Sequence, residues 1–160
     1  MPIIIHKKFI QAPINLCFDL ARNVEVHTRT TSKTKERAVA GVTSGLLVEG
    51  DIVTWEATHL GVKQRLTAKV IHMEAPTEFI DIMVSGAFHS FTHKHQFIED
   101  QDGTWMIDTF EYRSPFGVIG IIADKLFLKK YMQAFLTNRA NELKKLAESL
   151  SSSTYLSHKK

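Results

Sequence analysis

Near the C-terminus, Ile122, Leu126, Lys129, Met132, Leu136, Ala140, Leu143 and Ala147 recur at helical spacing, with Ile121, Leu128 and Phe135 beside them. The spacing predicts one helix from about Gly117 to about Leu150, roughly 33 residues and about 50 Å long. So long an amphipathic helix is not stable alone and needs a matching apolar surface. Only a curved sheet built from the residues ahead of it can supply one.

Those residues read as strands. Pro2 to Ile10 is short, apolar and β-branched. Ala12-Pro13 stops it, and Pro13 opens a helix carrying Ile14, Cys17, Phe18 and Ala21 on one face, widened by Leu16 and Leu20. A second short helical turn is expected around Asn23 to Thr28. Thr28 to Arg37 sets Arg29, Lys33, Lys35 and Arg37 among threonines and serines and reads as a solvated loop. From Glu36 to Arg113, turn signals at Glu49-Gly50-Asp51, Leu60-Gly61, Ala75-Pro76-Thr77, Ser85-Gly86 and Glu99 to Gly103 divide strands that should pair as an antiparallel meander. The expected fold class is α+β: a curved antiparallel sheet of about six or seven strands gripping a long C-terminal helix, with two short helices after the first strand. Residues 1–150 would form the single domain, and 151–160, Ser-rich with a basic end, a flexible polar tail. A sheet bent around one helix cannot pack against its whole length, so a cavity between them is expected.

Strand alternation sorts the side chains. Val53, Trp55, Ala57 and His59; Val62, Gln64, Leu66, Ala68, Val70 and His72; His89, Phe91, His93, His95 and Phe97; and Met106, Asp108, Phe110 and Tyr112 should face the helix, because the opposite faces carry the charges. These inward faces hold more polar groups than a closed core requires. A buried polar group without a partner costs about 1–3 kcal/mol. His59, Gln64, His93, His95, Asp108 and Tyr112 must therefore pair with each other, with water, with a metal or with a ligand. The predicted cavity has Trp55, Leu66, Phe91, Phe110 and Met132 as apolar walls and those six residues as polar anchors.

His93-Lys94-His95 can present two imidazoles to one metal, with Asp108 and His59 as further ligands. In the plainer reading Asp108 satisfies the histidines by hydrogen bonds. No metal and no cofactor is expected. His95 with Asp108 or Tyr112 would suit acid–base chemistry on a polyketide-like substrate. No Gly-x-Ser-x-Gly elbow occurs, and Cys17 sits on an apolar helix face as a core thiol. Gly117-Val118-Ile119-Gly120 lacks the residues of a phosphate loop. Pro115 to Ile122 reads as an apolar lid over the cavity entrance, or as a transient membrane contact beside Lys125, Lys129 and Lys130. Lys129 falls within the apolar stripe, so its stem is expected at the cavity mouth.

Twenty lysines and arginines against 17 acids leave a net charge of +3, too mild to predict a nucleic-acid partner. One cysteine excludes a disulfide framework, and the apolar run Ser114 to Ala123 is too short to span a bilayer. A soluble, cytoplasmic domain is expected, with its oligomeric state open.

The order of elements, with Ile10-Gln11-Ala12-Pro13 leading into Cys17-Phe18-Asp19-Leu20-Ala21, resembles the START and birch-pollen-allergen-like superfamily, SRPBCC. Gly50-Asp51-x-Val53-Thr54-Trp55, His93-x-His95-x-Phe97, Asp108-x-Phe110-x-Tyr112-x-x-Pro115-x-Gly117 and the final helix with Arg139, Leu143 and Lys144 extend the resemblance over Ile3 to Leu146, toward its polyketide cyclase/dehydrase-like branch. It implies a helix-grip fold and an internal cavity that takes a lipid, isoprenoid, polyketide or similar molecule. The expected function is binding of such a molecule, for transport or sensing. The alternative is a cyclase or dehydratase using His93, His95, Asp108 or Tyr112 as acid and base.

Overall fold

The turn signals fall between the strands of the computed structural model, which describes residues 1–157. Strand β1 (Ile3–Ile10) leads into helices α1 (Ile14–Ala21) and α2 (Val24–Thr30). Six strands follow: β2 (Arg37–Gly41), β3 (Ile52–His59), β4 (Val62–Glu74), β5 (Glu78–Ser85), β6 (Ser90–Asp100) and β7 (Gly103–Arg113). The seven form one antiparallel sheet in the order β1-β7-β6-β5-β4-β3-β2. Helix α3 (Gly117–Ala123), a π-helical stretch over Asp124–Leu128 and α4 (Lys129–Ser157) complete the chain. This is the expected helix-grip architecture.

Apolar side chains close one half of the grip. Ile10, Cys17, Phe18, Phe79, Phe97 and Met106 pack against Ala140, Leu143 and Ala147 of α4. Phe18 meets Phe79 and Phe97 edge-on at 5.6 and 5.5 Å between ring centres. Ala140 and Ala147 are small enough to let α4 sink onto the sheet, and both are fully enclosed. Burial holds the Cys17 thiol above its ordinary pKa, so the thiol is protonated packing material.

Several faces differ from strict alternation. A bulge between Val70 and His72 inserts a residue into β4. Beyond it Met73 packs toward the core, while His72 is half-exposed with its ring 3.8 Å from Glu78. Val62, at the strand end, and His89, ahead of β6, are exposed. On the opposite face of β3, Glu56 is covered by three cations from neighbouring strands. Arg37, Arg65 and Lys63 approach its carboxylate at 2.7, 3.1 and 3.6 Å, and the hydrogen bonds from Arg37 and Arg65 bring its pKa down to about 2.

The C-terminal stripe is also divided. The wide π-helical turn shifts the helical phase, so only residues from Met132 onward bury the stripe, while Ile122 and Leu126 are exposed. Lys129 is exposed beside Arg113 and Lys130 rather than lining the cavity. Helix α4 continues past Leu150 to Ser157, with the Ser153 and Thr154 hydroxyls donating to carbonyls one turn back. Residues 158–160 lie outside the described residues.

Candidate functional site

A cavity of about 240 Å³ lies between the sheet and α4, just under the range of roughly 300–1,000 Å³ usual for small-molecule sites. Strands β3, β4, β6 and β7 supply Trp55, Leu66, Phe91 and Phe110, and α4 supplies Met132, Phe135 and Leu136. Phe88 caps this wall, with its ring 6.0 to 6.3 Å from Phe110 and Phe91. Exposed Leu60, Arg65 and Ala87 mark the mouth with Pro115.

The predicted residues Trp55, His59, Gln64, Leu66, Phe91, His93, Phe110 and Met132 all border this space. His95 and Asp108 lie behind it, against smaller voids shared with Arg139. Tyr112 is outside the lining, fully enclosed by Ile4, Phe88 and Phe110, because Phe88 folds over it. His59 is set apart from His93 and His95 and bonds through Nδ1 to the Tyr131 hydroxyl of α4 at 2.8 Å.

Register assembles the polar floor. His93 and His95 are paired with Phe110 and Asp108 of β7, and Asp81 of β5 faces His93. His95 Nε2 bonds to Asp81 at 3.1 Å, and its Nδ1 lies 2.7 Å from Asp108. Both ring nitrogens thus meet carboxylates, an arrangement that suits imidazolium. Burial alone would lower the pKa of His95, yet the two aspartates raise it. His93, 3.2 Å from the same Asp108 oxygen, is lowered by burial and by the neighbouring His95 charge. Burial would raise Asp108, but its two histidine partners hold it well below the usual carboxylate range. The contacts at Asp108 Oδ1 are close but poorly aligned as hydrogen bonds, so charge attraction carries the one from the His95 imidazolium, while the His93 Nε2 has no aligned partner. Asp81, His93 and His95 offer ligand atoms within 4.8 Å of one another, the group among the described residues best spaced for a metal. With both His95 nitrogens already against carboxylates, no ion is needed to satisfy that ring.

Sequence reasoning missed a second polar group. His27 of α2 stacks on Trp55 at 4.0 Å, with Nε2 3.3 Å from Glu36. Burial would raise the Glu36 carboxyl, but His27, Arg139 and His59 hold it below its ordinary value, while burial lowers His27. Oxygen Oε2 of Glu36 is enclosed with no hydrogen-bond partner. The stretch read as a solvated loop is therefore partly interior. Thr30, Thr31 and Thr34 are buried there with their hydroxyls returned to backbone carbonyls, and the four cations stay exposed. Asp81 was legible, sharing the inward parity of Phe79. So was His6, opposite Asp108 in register and on the face of Ile4 and Ile10, with Nδ1 enclosed and unpartnered. Glu36, between two cations, gave no such signal.

The helix-grip fold and its enclosed cavity define the class. Among solved structures, TTHA0849 from Thermus thermophilus is similar at 20% identity and TM-score 0.77, covering 94% of this chain and 99% of that one. The di-domain ARO/CYC StfQ from the steffimycin biosynthetic pathway aligns at TM-score 0.74 and 10% identity, with 94% of this chain matching 51% of that one. Major latex-like protein 151 from Panax ginseng aligns at TM-score 0.69 and 10% identity, covering 91% and 97%. At such identities the likeness is one of fold, the fold that the resemblance to the START and birch-pollen-allergen-like superfamily implies. No protein-family model and no curated protein matches the sequence. No helix of the described residues is long and apolar enough to cross a membrane.

Proposed function

We propose that the cavity binds an amphipathic small molecule whose polar head offers a hydrogen-bond donor, an amine or a hydroxyl. The observation that carries this reading is the enclosed, unpartnered Glu36 Oε2 on the polar inner side of a cavity whose other walls are mainly apolar. Charge supports it. Glu36, Asp81 and Asp108 are ionised and His95 and Arg139 are cationic, while burial keeps His27 and His93 neutral, leaving one excess negative charge at the floor. Burying about 200 Å² of apolar ligand surface would contribute about 5 kcal/mol before the costs of association. The polar floor would then discriminate between head groups, since a mismatched one leaves buried atoms unpaired.

Octylamine, octanol and octanoate, equal in chain length, test the head-group preference by titration calorimetry. The amine and alcohol should bind at least about tenfold more tightly than the carboxylate, and Glu36→Gln should remove the preference for the amine. Equal binding of all three, or binding unchanged in Ala68→Phe, which fills the cavity, would sink the proposal. Native mass spectrometry of the protein as purified identifies any resident molecule directly.

A second reading, acid–base chemistry on the bound molecule, is favoured by one observation: His93 borders the cavity with Asp108 3.2 Å from its Nε2. It requires loss of water from a poly-β-keto thioester probe that disappears in His93→Ala while probe binding survives.

A further inference from the structure

We propose that the segment from Phe116 to Phe127 docks the protein onto a bilayer surface that carries anionic headgroups. Helix α3 is inverted relative to an ordinary surface helix. Its buried residue is Gly120, where an added Cβ would lie 1.8 Å from the Pro115 carbonyl oxygen. Its large side chains point outward instead. Phe116, Val118, Ile119, Ile121, Ile122, Leu126 and Phe127 are 46 to 83% exposed, whereas exposed apolar residues elsewhere are scattered along strands, loops and the far end of α4. Phe116 is held in the left-handed region, φ 64°, followed by Gly117 at φ 54°, a backbone that an aromatic residue seldom takes.

Charge selects the occupant. Residues 113–130 hold Arg113, Lys125, Lys129 and Lys130 against the single acid Asp124, a net +3 that equals the charge of the whole chain, so the remainder is neutral. Among the described residues, the groove beside the apolar segment is lined by those four cations together with Met1, His89 and Phe116, and by no carboxylate. A twofold dimer through this face would set cation against cation, because the same patch meets itself. An anionic lipid surface satisfies both halves of the pattern, taking the apolar side chains among its acyl chains and the lysines at its headgroups. Pro115 and Leu128, which bracket the segment, border the cavity. Docking would thus bring the cavity mouth to the lipid. That consequence rests on the ligand reading, whereas the docking itself does not.

Sedimentation with vesicles of phosphatidylcholine, with and without phosphatidylglycerol, tests the proposal. The full chain should partition onto the anionic vesicles and be released by high salt. Ile119→Glu, and separately Lys129→Glu with Lys130→Glu, should each lower the partition coefficient at least about tenfold. All three positions are exposed, so circular dichroism should show an unchanged fold, and octylamine binding in Ile119→Glu separates this surface from the cavity. Absence of binding to anionic vesicles overturns the proposal, as does equal binding to phosphatidylcholine alone. A dimer in analytical ultracentrifugation that Ile119→Glu dissociates, without vesicle binding, would assign the face to a second copy and overturn it too.

Discussion

The two halves of the grip use the same sheet and the same helix, yet one is closed and the other hollow. Toward the C-terminal part of α4, Ala140, Leu143 and Ala147 pack into one cluster with Phe18, Phe79 and Phe97, with a void of only about 10 Å³ beside Ala140 and Leu143. Toward its beginning, Tyr131, Met132 and Phe135 face Trp55, Leu66 and Phe91 across the cavity. The His95–Asp81–Asp108 layer marks the boundary. The difference teaches that enclosure depends on residue size on the helix as much as on sheet curvature. Alanines bring the helix down, and bulky residues hold it off.

The strongest way to break this comparison is truncation at the closed half. Phe18→Ala should cost about 3–5 kcal/mol in urea unfolding, and Phe135→Ala, which borders existing space, no more than about half of that. Equal costs would mean that the cavity is not a real relief of packing. Asp108→Asn should cost about 3 kcal/mol, because it strips one of two carboxylates from a buried imidazolium. A cost below about 1 kcal/mol would show that the boundary layer is not ionised as described. Adding volume sharpens the contrast: Ala140→Leu should destabilise by about 1–3 kcal/mol, and Ala68→Leu, pointing into the cavity, by under about 0.5 kcal/mol.

A further modest effect is that of pH. Histidines 27 and 93 have folded pKa values below their unfolded ones, so the unfolded chain takes up protons first, and the stability they supply is lost as pH falls below about 6.5. His95 is raised and acts oppositely, its contribution present below about 6.5 and lost as pH climbs through its folded value. Burial lowers His6 and His59 as well, so four outweigh one, and the unfolding free energy should drop by about 1 kcal/mol between about pH 7 and pH 5. A flat or rising profile would contradict the neutral assignment of His27 and His93.

Much of the fold was legible because periodicity and turn chemistry are local. Pro13, Gly61, Pro76 and Gly103 punctuate the chain regardless of what lies across the molecule. The inward polar set on β6 and β7 followed from alternation alone. Its division into cavity lining and second layer did not, because that depends on curvature and on Phe88 covering Tyr112. The β4 bulge and the π-helical turn each shift a phase by adding residues that no composition marks, which is why His72 and Leu126 were misplaced. His27 and Glu36 became partners only because α2 folds back over Trp55, a long-range contact without a sequence signature.

The cationic clasp on Glu56 ties β2, β3 and β4 together on the sheet's other face, through a carboxylate that stays charged down to about pH 2. On acidification, this outer fastening outlasts the enclosed histidines, whose discomfort begins several pH units higher. Acidification therefore strains the interior, through His27 and His93, well before it discharges the fastening on the outer face.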